Sequence, residues 1–448
     1  MPLTRSALPC RYSRRAFLDR SLRLGLGIGG GVALGSLLEA CATSSANLAP
    51  TPPPGATVIR ALLFDQVGYD PSVLQTLANK FRSLHGDKVF VSIETAHYRE
   101  LYESILAAGL STPSPYDVVA LDQVWIPEFA SRKQLFSLKD QIPDDARSDL
   151  MPSLLDAFST AGTTWAMPHV LNVQSLYYNK TQLGAAGFTN PPKTLEDWYQ
   201  QMTALRSRVM PYTDSWSQDE GLVSDFVRIA GEFGGDLFDA AGNPQLLQQP
   251  AQRAAAFMRQ LVDEKLVRPD IAASNEPDAM RAFLAGSVTF TTNWNFVWGA
   301  MNDPAFSQIM GQGAVAAIPA AASTGKAASS VSGFLGLGVL ANSAHPDLAV
   351  AWVRYLTSPD VQAQQSGQLP IWTSLQKSAD VRKANPQIDV FLTNLANARP
   401  RPKLVHYVEA SAVLQRHLHD LVLGAASPSR AMSDAQAELL ALQARFAG

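Results

Sequence analysis

From Thr57 onward, short apolar runs of strand length alternate with stretches whose apolar positions recur at helical spacing. Val58 to Phe64 is one such run, followed by a helical pattern from Ser72 to Leu84. Val89 to Ile93 repeats the strand signal, Tyr98 to Leu106 the helical one, and Asp117 to Leu121 is a third buried strand. This βαβα order predicts an α/β lobe with a largely parallel sheet.

Further along, the pattern is richer in helix. Thr194 and Asp197, following Pro191 and Pro192, have the spacing of a capping box that opens a helix. Phe226, Ile229, Ala230 and Phe233 fall at i, i+3, i+4 and i+7, which places them on one apolar face. Leu348, Ala351, Trp352 and Tyr355 repeat that spacing after Pro346, and Ser358-Pro359 starts another helix. Such stripes predict core.

The first forty residues break this rhythm. Ser13-Arg14-Arg15-Ala16-Phe17-Leu18 has the form of a twin-arginine export signature. The apolar stretch from Leu24 to Leu38 is diluted by six glycines, whereas a stable membrane span needs about 20 well-packed apolar residues. Gly25 to Gly30 fits G-x-G-x-x-G, but a dinucleotide site needs a strand before it and a helix after it, and an export signal supplies neither. Leu38-Glu39-Ala40-Cys41 resembles a lipobox, with Glu39 an unusual occupant. The resemblance implies cleavage before Cys41 and acylation of that cysteine. Several acyl chains, at about 0.8 kcal/mol per buried CH₂, then hold the protein on a membrane.

Composition sharpens this picture. The chain has 448 residues, 46% of them apolar and 17% charged, long enough for two lobes. Residues 1–40 carry six arginines against two acids, and removing that +4 from the total of −3 leaves −7. An acidic body argues against nucleic acid as a partner. Of the two cysteines, Cys10 leaves with the signal, so a mature chain retains Cys41 and no internal disulfide is possible. Residues 42–55 are small, polar and proline-rich, the composition of a semi-rigid tether. No later run approaches 18 apolar residues.

From about Thr57 to its end, the chain resembles the family 1 extracellular solute-binding proteins of ABC importers, of the maltose- and trehalose-binding type. Five segments carry the resemblance in order: Tyr116 to Phe129, Trp165 to Lys180, Thr292 to Trp298, Ser332 to Leu337, and Ala398 to Pro402. The resemblance implies a two-lobed periplasmic-binding-protein fold of type II-like α/β architecture, with discontinuous lobes, a hinge and an interlobe ligand cleft. The expected organisation is a signal peptide over 1–40, a lipidated cysteine and tether over 41–56, lobe 1 over 57–171 plus 337–372, and lobe 2 over 172–336 plus 373–448. A sugar site needs aromatic faces for ring C–H groups and acids or amides for hydroxyls. Carried over residue by residue, Asp122 matches the ligand-facing acid, and Trp294 and Phe296 match the aromatics. Gly333 and Phe334 match a glycine–aromatic pair, and Arg401 matches a C-terminal arginine, with Arg399 close enough to compete. Asp65 or Gln66 ends the first strand where a polar contact is expected. Asn172 stands where relatives carry an acid, and Val170 where they carry an aromatic, so the particular disaccharide is not carried over.

The implied function is capture of an oligo- or disaccharide outside the cytoplasm and its delivery to the permease of an ABC importer by a lipid-anchored monomer. Glycerol phosphate or another polyol-like solute is the alternative within that class; an exported sugar-processing enzyme is the alternative outside it. Ser374 to Lys377 fits S-x-x-K without the motifs that accompany it in catalysis. His417 and His419 sit at alternate helical positions, which point about 200° apart and converge poorly on one ion. No internal repeat suggests an adhesin. No catalytic residue, metal or cofactor is expected.

Overall fold

A computed structural model of the chain describes residues 51–65, 71–365 and 368–446. The twin-arginine signature, Cys41 and Gln66 lie outside the described residues.

The strands are β1 (Thr57–Phe64), β2 (Val89–Ala96), β3 (Val118–Asp122), β4 (Ser159–Thr160), β5 (Thr163–Thr164), β6 (Ala166–Asn179), β7 (Met210–Thr213), β8 (Val288–Trp294), β9 (Gly313–Ala316), β10 (Ser330–Val339) and β11 (Ala398–Arg399). Around them pack helices that include α1 (Pro71–Leu84), α2 (Tyr98–Ala108), α3 (Leu195–Leu205), α4 (Glu220–Glu232), α5 (Glu276–Leu284), α6 (Pro346–Leu356) and α7 (Tyr407–Leu423). The alternating strands and helices predicted from Val58 to Leu121 are present within a few residues of their expected bounds.

Apart from the β4–β5 hairpin, the strands form one sheet of order β2-β1-β3-β10-β6-β8-β7, with β9 beside β6 and β11 beside β10. Strands β2, β1 and β3 are parallel, as crossover helices require. The sheet as a whole is mixed rather than largely parallel, because β10 runs antiparallel to both β3 and β6. It returns from far along the chain and enters the slot between them in the opposite sense.

Strand β6 belongs to two half-sheets. Its residues Ala166 to Val173 pair with β10, and from Gln174 onward it pairs with β8 and β9. The main body, from Pro52 onward, is a single unit, since the halves share β6 instead of meeting through a linker.

The predicted stripes are core. Phe226, Ile229 and Ala230 are buried on α4, and Trp352 on α6 lies edge-on to Phe81 of α1 at 5.1 Å between ring centroids, while Phe233, Leu348, Ala351 and Tyr355 of the same stripes are partly buried against that core. The capping box at Thr194 forms as read: its hydroxyl accepts from Asp197 N–H at 3.0 Å, and the Asp197 carboxylate accepts from Thr194 N–H at 3.2 Å. Among the described residues, no helix is long and apolar enough to cross a membrane.

Candidate functional site

Ladder register decides which predicted residues can meet. Asp122, at the end of β3, stands beside Leu335 of β10, which stands beside Val170 of β6. Two residues along, Gly333 pairs with Asn172, and Gln174 pairs with Trp294 of β8. Side chains alternate along a strand, so Asp122, Val170, Asn172, Gly333 and Trp294 share one face. Phe334 belongs to the other face. The sequence motif joined Gly333 and Phe334 as a pair; the pleat separates them.

Asp122 is buried and fully engaged. Nη2 of Arg401 donates to both its oxygens at 2.7 Å, Tyr98 Oη donates to Oδ2 at 2.9 Å, and Val124 N–H donates to Oδ1 at 3.2 Å. Tyr98 is held in place against Trp125, 4.8 Å away between centroids. Arg401 extends the network through Nη1 to Glu220 Oε1 at 2.8 Å. Glu220 begins α4 and accepts from Tyr407 and Ser411 of α7. Burial raises the Tyr98 and Tyr407 hydroxyls well above the usual tyrosine range; next in size are the charges of Asp122 for Tyr98 and of Glu220 for Tyr407. Arg401 keeps Nε–H buried with no acceptor among the described residues.

Trp294 is positioned from two sides. Its Nε1–H donates to Glu276 Oε1 at 2.6 Å, at the start of α5. Its ring lies so close to Gly333 that a Cβ there would sit 2.8 Å from Cη2. Glycine at 333 is what permits this approach. Burial lifts the Glu276 carboxyl to about 7, and the charges of Asp219 and Glu220 add to the rise. The Trp294 hydrogen bond and the Arg401 charge pull it back. Asp219 itself caps α4, accepting from Gly221 N–H at 2.9 Å.

The remaining predicted residues lie apart from this cluster. Phe296 is buried where the next short helix, Val297–Met301, begins. Phe334 lines a cavity of about 770 Å³ with Gln123, Ser332 and Arg399, and Arg401 reaches its wall from the Asp122 side. Asp65 is exposed after β1, with His97 Nδ1 at 3.5 Å. Arg399, the competitor of Arg401, pairs instead with Asp236. Tyr98, Glu220, Glu276 and Tyr407 were not anticipated; each looks like an ordinary helix residue until the fold brings it to Asp122 or Trp294.

A second buried network underlies the point where β6 changes partners. Arg228 of α4 donates to Glu232, to Asp214 Oδ2 at 2.6 Å and to Gln174 Oε1 at 2.9 Å. Gln174 Nε2 in turn donates to Asp225 at 2.7 Å. Two carboxylates thus share one guanidinium, and a third, Asp225, joins them through Gln174. Burial lifts Glu232 to about 7, and burial together with the Asp214 charge lifts Asp225 well above the usual carboxylate range.

The motifs set aside in sequence have structural explanations. Ser374 bonds Asp149. His417 faces Glu438 at 3.0 Å, while His419 faces the Ala272 carbonyl at 2.9 Å, so the two rings diverge. Among the described residues no three histidine, cysteine or acidic side chains are placed so that they could hold a metal ion.

Residues 68–363 match the family described as bacterial extracellular solute-binding protein. The chain is 22% identical over 395 residues to the "Probable amino-acid ABC transporter periplasmic-binding protein y4oP" of Sinorhizobium fredii, covering 85% of this chain and 88% of that one. Maltose-bound MalE3 of T. maritima superposes with a TM-score of 0.78 at 26% identity, over 86% of this chain and 100% of that one. A solute-binding protein of Agrobacterium radiobacter K84 in complex with ribitol has the same fold, with a TM-score of 0.77 at 20% identity over 86% and 98% of the two chains. The matched family and these relatives are substrate-binding proteins of ABC transporters, not enzymes.

Proposed function

Because this chain belongs to the bacterial extracellular solute-binding proteins, we propose that it captures a carbohydrate outside the cytoplasm and delivers it to the permease of an ABC importer. One observation carries the reading: an indole, Trp294, shares a sheet face with Asp122 and Asn172, beside a guanidinium that ties the end of β3 to the start of α4. Aromatic surface for a ring and charged hydrogen-bonding groups for hydroxyls are what sugar recognition needs. In this reading the ligand lies against Trp294, Gly333 and Asn172, while Asp122 and Arg401, bonded to each other, stand behind its polar edge. Phe296, Phe334, Asp65 and Gln66 complete the set of candidates. The lobes 57–171 plus 337–372 and 172–336 plus 373–448 close over it by bending where β6 and β10 cross. Cys41 carries the lipid, the segment 41–56 is the tether, and the binding unit is a monomer.

Glycerol phosphate fits less well. Asp122, Asp219, Glu220 and Glu276 surround a single Arg401, which two of them already bind. An anion would meet repulsion there.

A thermal-shift panel of mono- and disaccharides and glycerol phosphates on the soluble body tests this. Stabilisation by a sugar is expected, about 2.7 kcal/mol at a hundredfold excess over Kd. Stabilisation by glycerol phosphate alone would replace the sugar reading, and product appearing on incubation would overturn the binding-only reading.

A further inference from the structure

We propose that Glu276 selects the ligand, and that the ligand is a polyhydroxylated compound bearing a protonated amine. The inference rests on the carbohydrate-binding reading and narrows its substrate class.

The argument begins with which carboxylate oxygens are already used. Both oxygens of Asp122 are held by Arg401, and both oxygens of Glu220 by Arg401, Tyr407 and Ser411. Asp219 gives one oxygen to Gly221 N–H and the other to the Ser217 hydroxyl. Glu276 differs. Trp294 Nε1–H takes its Oε1, while among the described residues Oε2 has no hydrogen-bond donor and is not among the sealed, unpartnered atoms. It is the acceptor still open to a newcomer. The same hydrogen bond from Trp294 fixes the carboxylate plane beside an indole, and an indole face together with a carboxylate suits an ammonium group.

Charge points the same way. The titratable groups acting on Glu276 are Asp219, which caps α4, and Glu220, its first residue, which oppose ionisation, and Arg401, which favours it. One guanidinium against these carboxylates leaves the site short of positive charge. An incoming cation would supply it and relieve the cost of holding Glu276 ionised while buried. A second observation asks for the rest of the ligand. Arg401, whose side chain is 2% exposed, leaves its Nε–H without an acceptor beside these acids. That atom is sealed in the structure, and a ligand hydroxyl oxygen that enters as the lobes open satisfies it. A simple amine has no such oxygen, and a neutral sugar brings no charge to Glu276.

Titration calorimetry with matched probes tests the proposal: glucosamine, N-acetylglucosamine and glucose, and chitobiose with free amines against maltose. At pH 7 the free amines are expected to bind at least tenfold more tightly than their acetylated or neutral counterparts. Their affinity is expected to rise about tenfold from pH 5.5 to pH 7 as Glu276 ionises, while that of neutral sugars stays flat. Glu276→Gln retains the oxygen that accepts from Trp294 and should erase both the preference and the pH dependence. Equal or tighter binding of maltose or glucose would overturn the proposal and leave the carbohydrate reading standing. An amine preference that survives in Glu276→Gln would overturn the role of this residue. Binding of no sugar, charged or neutral, would remove the underlying reading.

Discussion

Asp122 and Arg401 stand 279 positions apart in the chain, yet one guanidinium nitrogen bridges both carboxylate oxygens at 2.7 Å. The pair is sealed from solvent, with side chains 2–3% exposed, and Arg401 reaches on to Glu220. One arginine thereby ties the end of β3 to the start of α4.

Arg401→Met leaves the buried Asp122 and the partly buried Glu220 without their counter-charge, whereas Asp122→Asn leaves the arginine still paired with Glu220. The first should cost about 3–5 kcal/mol of stability and the second clearly less. Urea denaturation of the single and double variants checks this. Additive effects would show that the three groups do not act as a unit.

Gly333→Ala puts a methyl group into the space held by the Trp294 ring. The crowding should cost about 1–3 kcal/mol and shift the indole off its bond to Glu276. Sugar affinity should fall with stability. A variant that is stable and binds normally would place the ligand elsewhere.

Glu232 has a folded pKa of about 7, raised from an ordinary 4.5 by burial. The native state therefore holds a proton that the unfolded chain releases between pH 4.5 and 7. Its contribution to stability is full below about 4.5, is lost as pH rises through that window and levels off above 7. The 2.5-unit difference is worth about 3 kcal/mol. Comparing wild type with Glu232→Gln by urea denaturation at pH 5 and pH 8 should show the wild type losing ground at pH 8 by up to that amount. An unchanged difference would mean that Arg228 neutralises the group throughout.

If Cys41 carries lipid, Cys41→Ser should move the protein from the membrane fraction to the soluble one, since no other lipid site is proposed. Fatty-acid labelling of the wild type and not the variant is the direct measurement.

What could be read from the sequence was local. The Thr194–Asp197 capping box, the Phe226 stripe and the strand expected over Asp117 to Leu121 depend on neighbours within a few residues, and each formed at or within a residue or so of its expected place. What could not be read depends on the crossing of the chain. Tyr98, Glu220 and Glu276 sit on three helices, and no pattern within those helices marks them. Family resemblance offered Gly333 and Phe334 as a unit, whereas simple alternation on β10 sends them to opposite faces. The return of β10 between β3 and β6 has no local signal either, because a buried apolar run reads alike in a parallel or an antiparallel place.

That return also sets an order on assembly. Until residues 330–339 are made, β3 and β6 each present an open edge that only β10 can cover. A nascent or truncated chain that stops short of Val339 exposes two unpaired strands to any other chain nearby. The centre of the sheet is thus completed late, by a segment synthesised more than 200 residues after β3, and a chain cut earlier should aggregate instead of yielding half a protein.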